Sequence, residues 1–84
     1  MVTVKLFGTL RLDSGLRELQ AEGSRVRELY PQVLRCIREQ RPDSSVTEAE
    51  LRACLVAVNG RQSSPRARLN DGDVVYLFPA VAGG

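Results

Sequence analysis

The chain has 84 residues and a mass of 9.3 kDa, which suits one small domain and leaves no room for a second. Its composition, 43% hydrophobic and 26% charged, is that of a globular protein and excludes a disordered one. Histidine is absent, which excludes histidine-based catalytic triads and histidine-containing zinc sites. We therefore expect no large self-contained active site and no metal site.

The charge balance and the hydrophobicity pattern limit the classes of partner that we expect. The net charge of +2 comes from 12 basic and 10 acidic residues, and the arginines are scattered among the acids. Nucleic-acid binders usually carry a denser basic cluster with stacking aromatics, so we expect no nucleic-acid partner. No apolar run approaches the roughly 20 residues of a membrane span, and the N-terminus has no signal-peptide core. We expect a cytoplasmic protein with no membrane contact and with reduced cysteines.

The first half of the chain predicts two strands and a helix. Residues 2–7 alternate with period two, and Gly8 ends this strand; residues 13–15 form a turn, and residues 16–22 form the return strand. The next apolar residues follow a helical stripe about three turns long: Val26, Leu29, Tyr30, Val33, Leu34 and Ile37. Pro31 either starts the main helix after a separate turn or kinks it, and Pro42 ends it.

The second half predicts a short helix over 48–53 behind a capping box, followed by two further strands. The apolar run 54–58 is typical of a strand covered on both faces, and Asn59-Gly60 is a hairpin signal. Residues 61–68 form a loop or an edge, residues 69–73 a tight turn, and residues 74–78 the last strand. This order predicts an α+β fold in which the main helix packs on one face of a mixed sheet, with the first and last strands adjacent.

The end of the chain is its most informative segment. After Pro79 every side chain is small or absent, so residues 79–84 cannot anchor a core, and they reach about 20 Å when extended. The closing Gly83 and Gly84 let the backbone pass through a narrow channel. This shape suits a carboxylate that enters another protein's active site, and the alternative is an inert frayed terminus.

Three segments together resemble a known family. Val58-Asn59-Gly60, Leu69-Asn70-Asp71-Gly72-Asp73-Val74-Val75 and the closing Phe78-Pro79-Ala80-Val81-Ala82-Gly83-Gly84 are similar to the small subunit of molybdopterin synthase, the MoaD-like sulfur carriers. Val4-Lys5-Leu6-Phe7-Gly8 and Leu10-Arg11 resemble the first strand and following turn of that family. Ala80 stands where the family usually has a second proline.

The resemblance implies a β-grasp (ubiquitin-like) domain over 1–78 and a flexible tail over 79–84. It implies that an activating enzyme adenylates the Gly84 carboxylate, beside Gly83, and that a sulfur donor converts it to a thiocarboxylate. The implied partners are a ubiquitin-activating-type adenylating enzyme, the large subunit of molybdopterin synthase, and a sulfurtransferase or cysteine desulfurase. The chain has no phosphate-binding glycine loop, so we expect it to bind no cofactor, to leave ATP to the activating partner and not to be an enzyme itself.

Strand parity predicts where a partner binds. In residues 74–78, Val75 and Leu77 share the face toward the helix, so the alternate residues point away from it. We expect an exposed apolar patch for a partner, continued by the tail: Phe7, Val74, Tyr76, Phe78, Pro79, Ala80, Val81 and Ala82. The alternative is that a loop covers this face.

Other assignments remain open from the sequence. A ThiS-like carrier for thiazole or another sulfur-containing metabolite also ends in two glycines, as does a ubiquitin-like modifier of lysines, and an interaction module with an inert tail is a further alternative. Cys36 and Cys54 lack the spacing of a redox or metal pair, so we interpret them as small hydrophobic residues. Asp71 and Asp73 flank Gly72, and we interpret them as turn residues rather than an acid–base pair.

Overall fold

The computed structural model describes residues 1–80, which form a five-stranded mixed sheet with helices. The strands are β1 (Val2–Leu6), β2 (Glu18–Ala21), β3 (Leu55–Val58), β4 (Arg61–Ser63) and β5 (Val74–Phe78). The helices of the described residues are α1 (Gly8–Ser14), α2 (Tyr30–Gln40) and α3 (Glu48–Arg52), with a 3-10 turn over Val26–Glu28. The strand order β2-β1-β5-β3-β4 confirms the predicted α+β architecture.

The first and last strands lie side by side near the centre of the sheet, as predicted. β1 and β5 are parallel, with Val4 opposite Val75 and Leu6 opposite Leu77. β2 returns antiparallel to β1, with Val2 opposite Ala21, and is shorter than predicted. The parallel centre gives the sheet its mixed character and places the start of β1 beside the start of β5.

The segment after β1 is a helix, where the sequence predicted only a turn over residues 13–15. α1 runs over Gly8–Ser14 and buries Leu10 and Ser14, which lie four residues apart on one side of the helix. Gly15 follows in the left-handed conformation (φ 72°), and its N–H donates to the Arg11 carbonyl. Seven residues with a single buried stripe carry too little periodicity for a sequence pattern to predict the helix.

Pro31 starts the main helix rather than kinking it, which confirms the first of the two alternatives. The chain makes the 3-10 turn first, and Pro31 then occupies the first turn of α2, where its missing N–H leaves no unpaired donor. The helix ends at Gln40, and Arg41, which precedes Pro42, is extended. Val33 and Ile37 are buried against the sheet residues of the core.

The elements of the second half follow the prediction with one correction. The Thr47 hydroxyl accepts the Glu50 N–H at 3.2 Å and caps α3. Asn59 and Gly60 both have positive φ (52° and 84°), as the tight β3–β4 hairpin requires. The expectation that β3 is covered on both faces was wrong, because Leu55 is 56% exposed.

The core lies between α2 and one face of the sheet, and the helices of residues 1–80 bury their hydrophobic side chains in this core rather than on the opposite face. The buried hydrophobic residues form one cluster that includes alternate residues of β1 and β5: Val2, Val4, Leu6, Val75 and Leu77. Within residues 1–80 no helix is long and apolar enough to cross a membrane.

Candidate functional site

The outer face of β5 carries the residues that strand parity predicted. Val75 and Leu77 are at most 1% exposed and face the core, so Tyr76 and Phe78 project from the other side. Phe78 is 37% exposed, a large fraction for a phenyl ring in a central strand. The predicted orientation is therefore confirmed for the last strand.

Three aromatic rings stack on this outer face. The ring centroids of Phe7 and Phe78 are 4.6 Å apart, those of Phe7 and Tyr76 5.8 Å, and those of Tyr76 and Phe78 6.4 Å. Phe7 reaches this position because β1 runs parallel to β5, and its N–H donates to the Leu77 carbonyl at 3.2 Å. We call Phe7, Tyr76 and Phe78 the aromatic patch.

Leu55 extends the aromatic patch and was missed by sequence reasoning. It lies opposite Phe78 in the antiparallel β3–β5 pair, next to the exposed ring. Because an apolar run hides the period-two signal, residues 54–58 indicated a fully buried strand and gave no sign that Leu55 is exposed. The buried Val56, on the other side of the same strand, shows that β3 has an inner and an outer face.

Val74 shares the outer face but lies away from the aromatic patch. It pairs with Thr3 at the start of β5, and its N–H donates to the Asn59 side-chain oxygen at 3.0 Å. Four residues of strand, about 13 Å, separate it from Phe78. The structure thus brings together three of the predicted outer-face residues and places Val74 at the other end of the strand.

The chain leaves the sheet at Pro79, beside Gly8. Gly8 has a φ of +59°, a conformation that favours glycine, and a Cβ built on it would lie in ordinary van der Waals contact with the Pro79 ring, at 3.4 Å. Pro79 is half-buried and Ala80 is exposed. Residues 81–84, with the predicted Val81, Ala82, Gly83 and Gly84, lie outside the described residues. The division into a domain over 1–78 and a tail over 79–84 stays a prediction.

Charged side chains border the aromatic patch on the β1 side. A shallow pocket there is lined by Lys5, Leu6, Phe7, Arg11, Arg17, Glu18 and Tyr76. Three of these residues are basic and one is acidic, so this rim of the patch is positive. An apolar centre with a charged rim is the usual anatomy of a protein–protein contact.

The carboxylates that could suggest acid–base chemistry are turn residues. Asp73 accepts hydrogen bonds from the Asn70 N–H at 2.8 Å and from the Asn59 side-chain amide at 2.9 Å, and these bonds lower the pKa of its carboxyl. The Asp71 carboxylate binds the N-terminal amine of Met1. Asp73 therefore stabilises its own turn, as predicted, whereas Asp71 links this turn to the start of the chain.

The cysteines show no sign of an activated thiol. Cys36 and Cys54 are unbonded to each other and half-buried. Burial raises the pKa of the Cys54 thiol, and Glu50 adds to the effect, which disfavours the reactive thiolate. Within residues 1–80 no group of three or more acidic residues or cysteines is placed to hold a metal ion.

Comparison with known proteins places the chain in a family. The ThiS family model matches residues 4–84, and no curated protein sequence matches. A solved structure described as molybdopterin converting factor subunit 1 of Pyrococcus furiosus is 34% identical over 95% of this chain and 97% of that chain, with a TM-score of 0.62.

Two further solved structures cover nearly all of the chain. A chain of the BexX/CysO complex of Amycolatopsis orientalis is 29% identical over 100% of both chains, with a TM-score of 0.62. The small archaeal modifier protein SAMP1 of Methanosarcina acetivorans is 26% identical over 99% of this chain and 95% of that chain, with a TM-score of 0.63. Since the family model spans almost the whole sequence and the fold agrees, the chain belongs to the ThiS family of small ubiquitin-like sulfur carriers.

Proposed function

We propose that this chain carries sulfur as a thiocarboxylate on Gly84 and delivers it for the synthesis of molybdopterin. The observation that supports this most strongly is the family match, which runs through the closing Gly83-Gly84 to the last residue. The 34% identity to a protein described as molybdopterin converting factor subunit 1 favours the pterin branch. The role of Gly84 rests on sequence and family, because residues 81–84 lie outside the described part of the chain.

The chemistry requires activation of the carboxylate. An α-carboxyl with a pKa of about 3.5 is an anion at neutral pH and a poor electrophile. In the proposed cycle a Gly84 oxygen attacks the α-phosphorus of ATP, pyrophosphate leaves, and an acyl-adenylate forms. Sulfide-level sulfur then attacks the acyl carbon, the bond to AMP breaks, and a thiocarboxylate remains. A persulfide donor reaches the same product once a thiol has reduced the sulfur–sulfur bond.

Catalysis belongs to the partners in this proposal. The sequence has no glycine-rich phosphate loop followed by Lys-Ser or Lys-Thr, so the adenylating enzyme binds the ATP. This chain supplies the reacting carboxylate and the surface that docks it. The large subunit of molybdopterin synthase then receives the thiocarboxylate, and a sulfurtransferase or cysteine desulfurase supplies the sulfur.

The aromatic patch is the proposed docking surface for these partners. It lies where β5 ends and the chain continues through Pro79, so a partner that covers Phe78 stands close to the start of the tail. Stacked aromatic residues with one exposed ring are frequent interface anchors. A chain that is 29% identical to this one has been solved as part of a protein–protein complex, that of BexX and CysO.

Two comparisons favour alternative candidates. The match to the ThiS family model supports a carrier for another sulfur-containing metabolite, such as a ThiS-like thiazole carrier. The similarity to SAMP1, described as a small archaeal modifier, supports conjugation of the same activated Gly84 to protein lysines. Both alternatives keep the adenylation step and differ in the acceptor.

Intact mass spectrometry tests for the thiocarboxylate and separates a sulfur carrier from a protein modifier. The chain is incubated with the activating enzyme of its organism, ATP and a sulfur source, and the expected mass increase is the difference between sulfur and oxygen. Deletion of Gly84 abolishes this increase. Gly83→Val blocks it without lowering the melting temperature, because the β-branched side chain thickens only the tail.

The outcome of the same experiment can contradict the proposal. Lysine adducts of higher mass that persist support the modifier alternative. An unchanged increase in the Gly84 deletion excludes a thiocarboxylate at that residue. Loss of several degrees of melting temperature in Gly83→Val excludes a tail that is independent of the domain.

A further inference from the structure

Two loops meet at the end of the sheet opposite Phe78. The Val26 N–H donates to the Ala67 carbonyl at 3.1 Å, and the Leu69 N–H donates to the Ser24 carbonyl at 2.8 Å. These two hydrogen bonds flank an isolated antiparallel bridge between Arg25 and Arg68. Two arginines 43 positions apart in the sequence are thereby held opposite each other, which their scattered distribution does not indicate.

The hydrogen bonding decides where the two side chains point. Because the flanking residues make the bonds, Arg25 and Arg68 form a non-hydrogen-bonded pair, the closer kind, with a usual Cα separation of about 4.5 Å. Val26 is fully buried and Ala67 packs on the core, so the arginines between them project outward on one side. We call Arg25 and Arg68 the arginine pair.

The Arg25 side chain is held in place. One guanidinium nitrogen donates to the Arg66 carbonyl at 2.9 Å, and the residue is half-buried although it is charged. A pocket opens at the pair and is lined by Ser24, Arg25, Arg68, Leu69 and Asn70. A guanidinium that is fixed before binding loses little conformational entropy when it binds an anion.

Nearby acidic residues do not neutralise the arginine pair. The Glu28 carboxylate accepts the Ser24 N–H at 2.9 Å, a bond that lowers the pKa of its carboxyl, and Asp73 accepts the Asn70 N–H. Asp71 binds the N-terminal amine. Within residues 1–80 the ion pairs are Met1–Asp71 and Arg52–Glu48, so neither Arg25 nor Arg68 has a carboxylate partner there. Like charges directly opposite each other destabilise a strand pair.

We propose that the arginine pair is a second docking surface, which binds an acidic segment of a protein partner. Each guanidinium matches the geometry of a carboxylate and can bind it through two parallel hydrogen bonds. The pair lies beside Leu69 and Asn70, which precede β5, and the length of β5, about 13 Å, lies between that turn and Phe78, so the pair is separate from the aromatic patch. A partner held there leaves the opposite end, with the tail, accessible to a second protein.

The position of the aromatic residues favours protein over nucleic acid as the ligand. Phe7, Tyr76 and Phe78 stack at the opposite end of β5, and Tyr30 is fully buried. These are all the aromatic residues of the chain, so no ring beside the arginine pair can stack on a base. A whole-chain net charge of +2 also provides little long-range attraction for a polyanion.

The test uses the full chain and a hexaglutamate peptide, with the dissociation constant measured by calorimetry at low salt. Arg68→Gln and Arg25→Gln are expected to weaken peptide binding about fivefold to tenfold each. The matched controls are Arg35→Gln and Arg38→Gln, which remove the same charge from exposed positions of α2 and are expected to change binding less than twofold. Equal losses of peptide affinity in all four variants would show that binding depends only on the net charge of the chain, and this result would overturn the proposal.

A stability measurement distinguishes a binding role of the arginine pair from a structural one. If the pair stabilised the fold, replacing one of its arginines would lower the melting temperature. Arg68→Glu places a carboxylate opposite Arg25, so it is expected to raise the melting temperature while abolishing peptide binding. No peptide binding by the natural chain, or tighter binding of a single-stranded RNA than of the peptide at equal salt, would contradict the proposal. None of these measurements involves activation of Gly84, so their outcome is independent of the proposed sulfur transfer.

Discussion

The two ends of β5 differ in how their side chains are used. At its start, Asp73 accepts two hydrogen bonds from the neighbouring asparagines, and the adjacent turn carries the ion pair between Asp71 and the N-terminus. At its end, Phe78 is partly exposed, stacks on Phe7, and leads into Pro79. Polar groups at the start are mostly satisfied within the domain, whereas apolar groups at the end are left exposed.

The residues at the start of β5 therefore help to specify the fold, whereas the residues at its end are available to bind partners. A turn fixed by hydrogen bonds sets the register of the last strand, and the strand in turn positions the aromatic patch. The arginine pair, beside the turn that precedes β5, is the exception, because it is charged, outward-facing and unneutralised within the described residues. Substitutions at the two ends should therefore affect binding and stability in different proportions.

The largest expected effect is on partner binding at the end of β5. Phe78→Asp should weaken binding of the adenylating enzyme at least about tenfold, because a carboxylate replaces an exposed anchor ring. The free energy of unfolding should fall by about 1–2 kcal/mol, since the ring is partly buried and loses its stacking on Phe7. Calorimetric titration and denaturant unfolding of the same variant measure the two effects.

Val74→Asp is the matched control for Phe78→Asp. It adds the same charge to the same face of the same strand, at the opposite end. Partner binding by the folded variant should change much less than for Phe78→Asp. Equal losses of binding would spread the contact over the whole outer face, and a collapse of stability in Phe78→Asp would place that ring in the core.

A smaller effect is expected on the rate at which Gly84 is modified, and it distinguishes Gly8, beside the end of β5, from Gly72, which precedes β5. Gly8 (φ +59°) contacts Pro79, whereas a Cβ on Gly72 (φ +86°) would meet no atom within 4 Å. Gly8→Val and Gly72→Val should each lower the free energy of unfolding by about 1–2 kcal/mol, because both force a side chain into the left-handed region. Only Gly8→Val should also slow the modification of Gly84, because the valine methyl groups would displace Pro79. Equal rates of modification in the two variants would contradict a role for the packing between position 8 and Pro79.

The smallest effect is a pH dependence at the start of the strand. The bond to Asp71 raises the pKa of the N-terminal amine from its usual 8.0, so its stabilising contribution is present below pH 8 and is lost as the pH rises through the raised value. The same bond lowers the pKa of Asp71 from 3.8, so that contribution is present above about pH 4 and is lost in acid. Asp71→Asn should therefore lower the melting temperature slightly between about pH 4 and 8, and the difference should vanish as the pH falls through the lowered pKa of Asp71 or rises through the raised pKa of the N-terminal amine.

Exposed Asp43 provides the control for that profile. Asp43→Asn removes the same charge and leaves the ion pair at the N-terminus intact. Its melting temperature should therefore equal that of the natural chain at every pH. A difference for Asp71→Asn that is constant with pH would show that the ion pair does not contribute.

Much of the fold could be predicted because strong local signals agreed with it. The alternation in β1, the Asn59-Gly60 turn and the parity of β5 each depend on a few neighbouring residues. The missed features depend on the tertiary structure: α1 is too short for a clear stripe, and Leu55 is exposed because it lies on the face of the sheet opposite the core. The arginine pair depends on two loops that meet across the fold, so no local pattern indicates it. The proposed role of Gly84 rests on the family resemblance that the sequence carries.

Peptide mass mapping tests the central claim most directly. After incubation with the activating enzyme, ATP and a sulfur source, trypsin cleaves after Arg68 and releases the C-terminal peptide 69–84. The account predicts that this peptide alone carries the exchange of oxygen for sulfur, on the carboxylate of Gly84. Sulfur found instead on the peptides that contain Cys36 or Cys54, with peptide 69–84 unchanged, would contradict it.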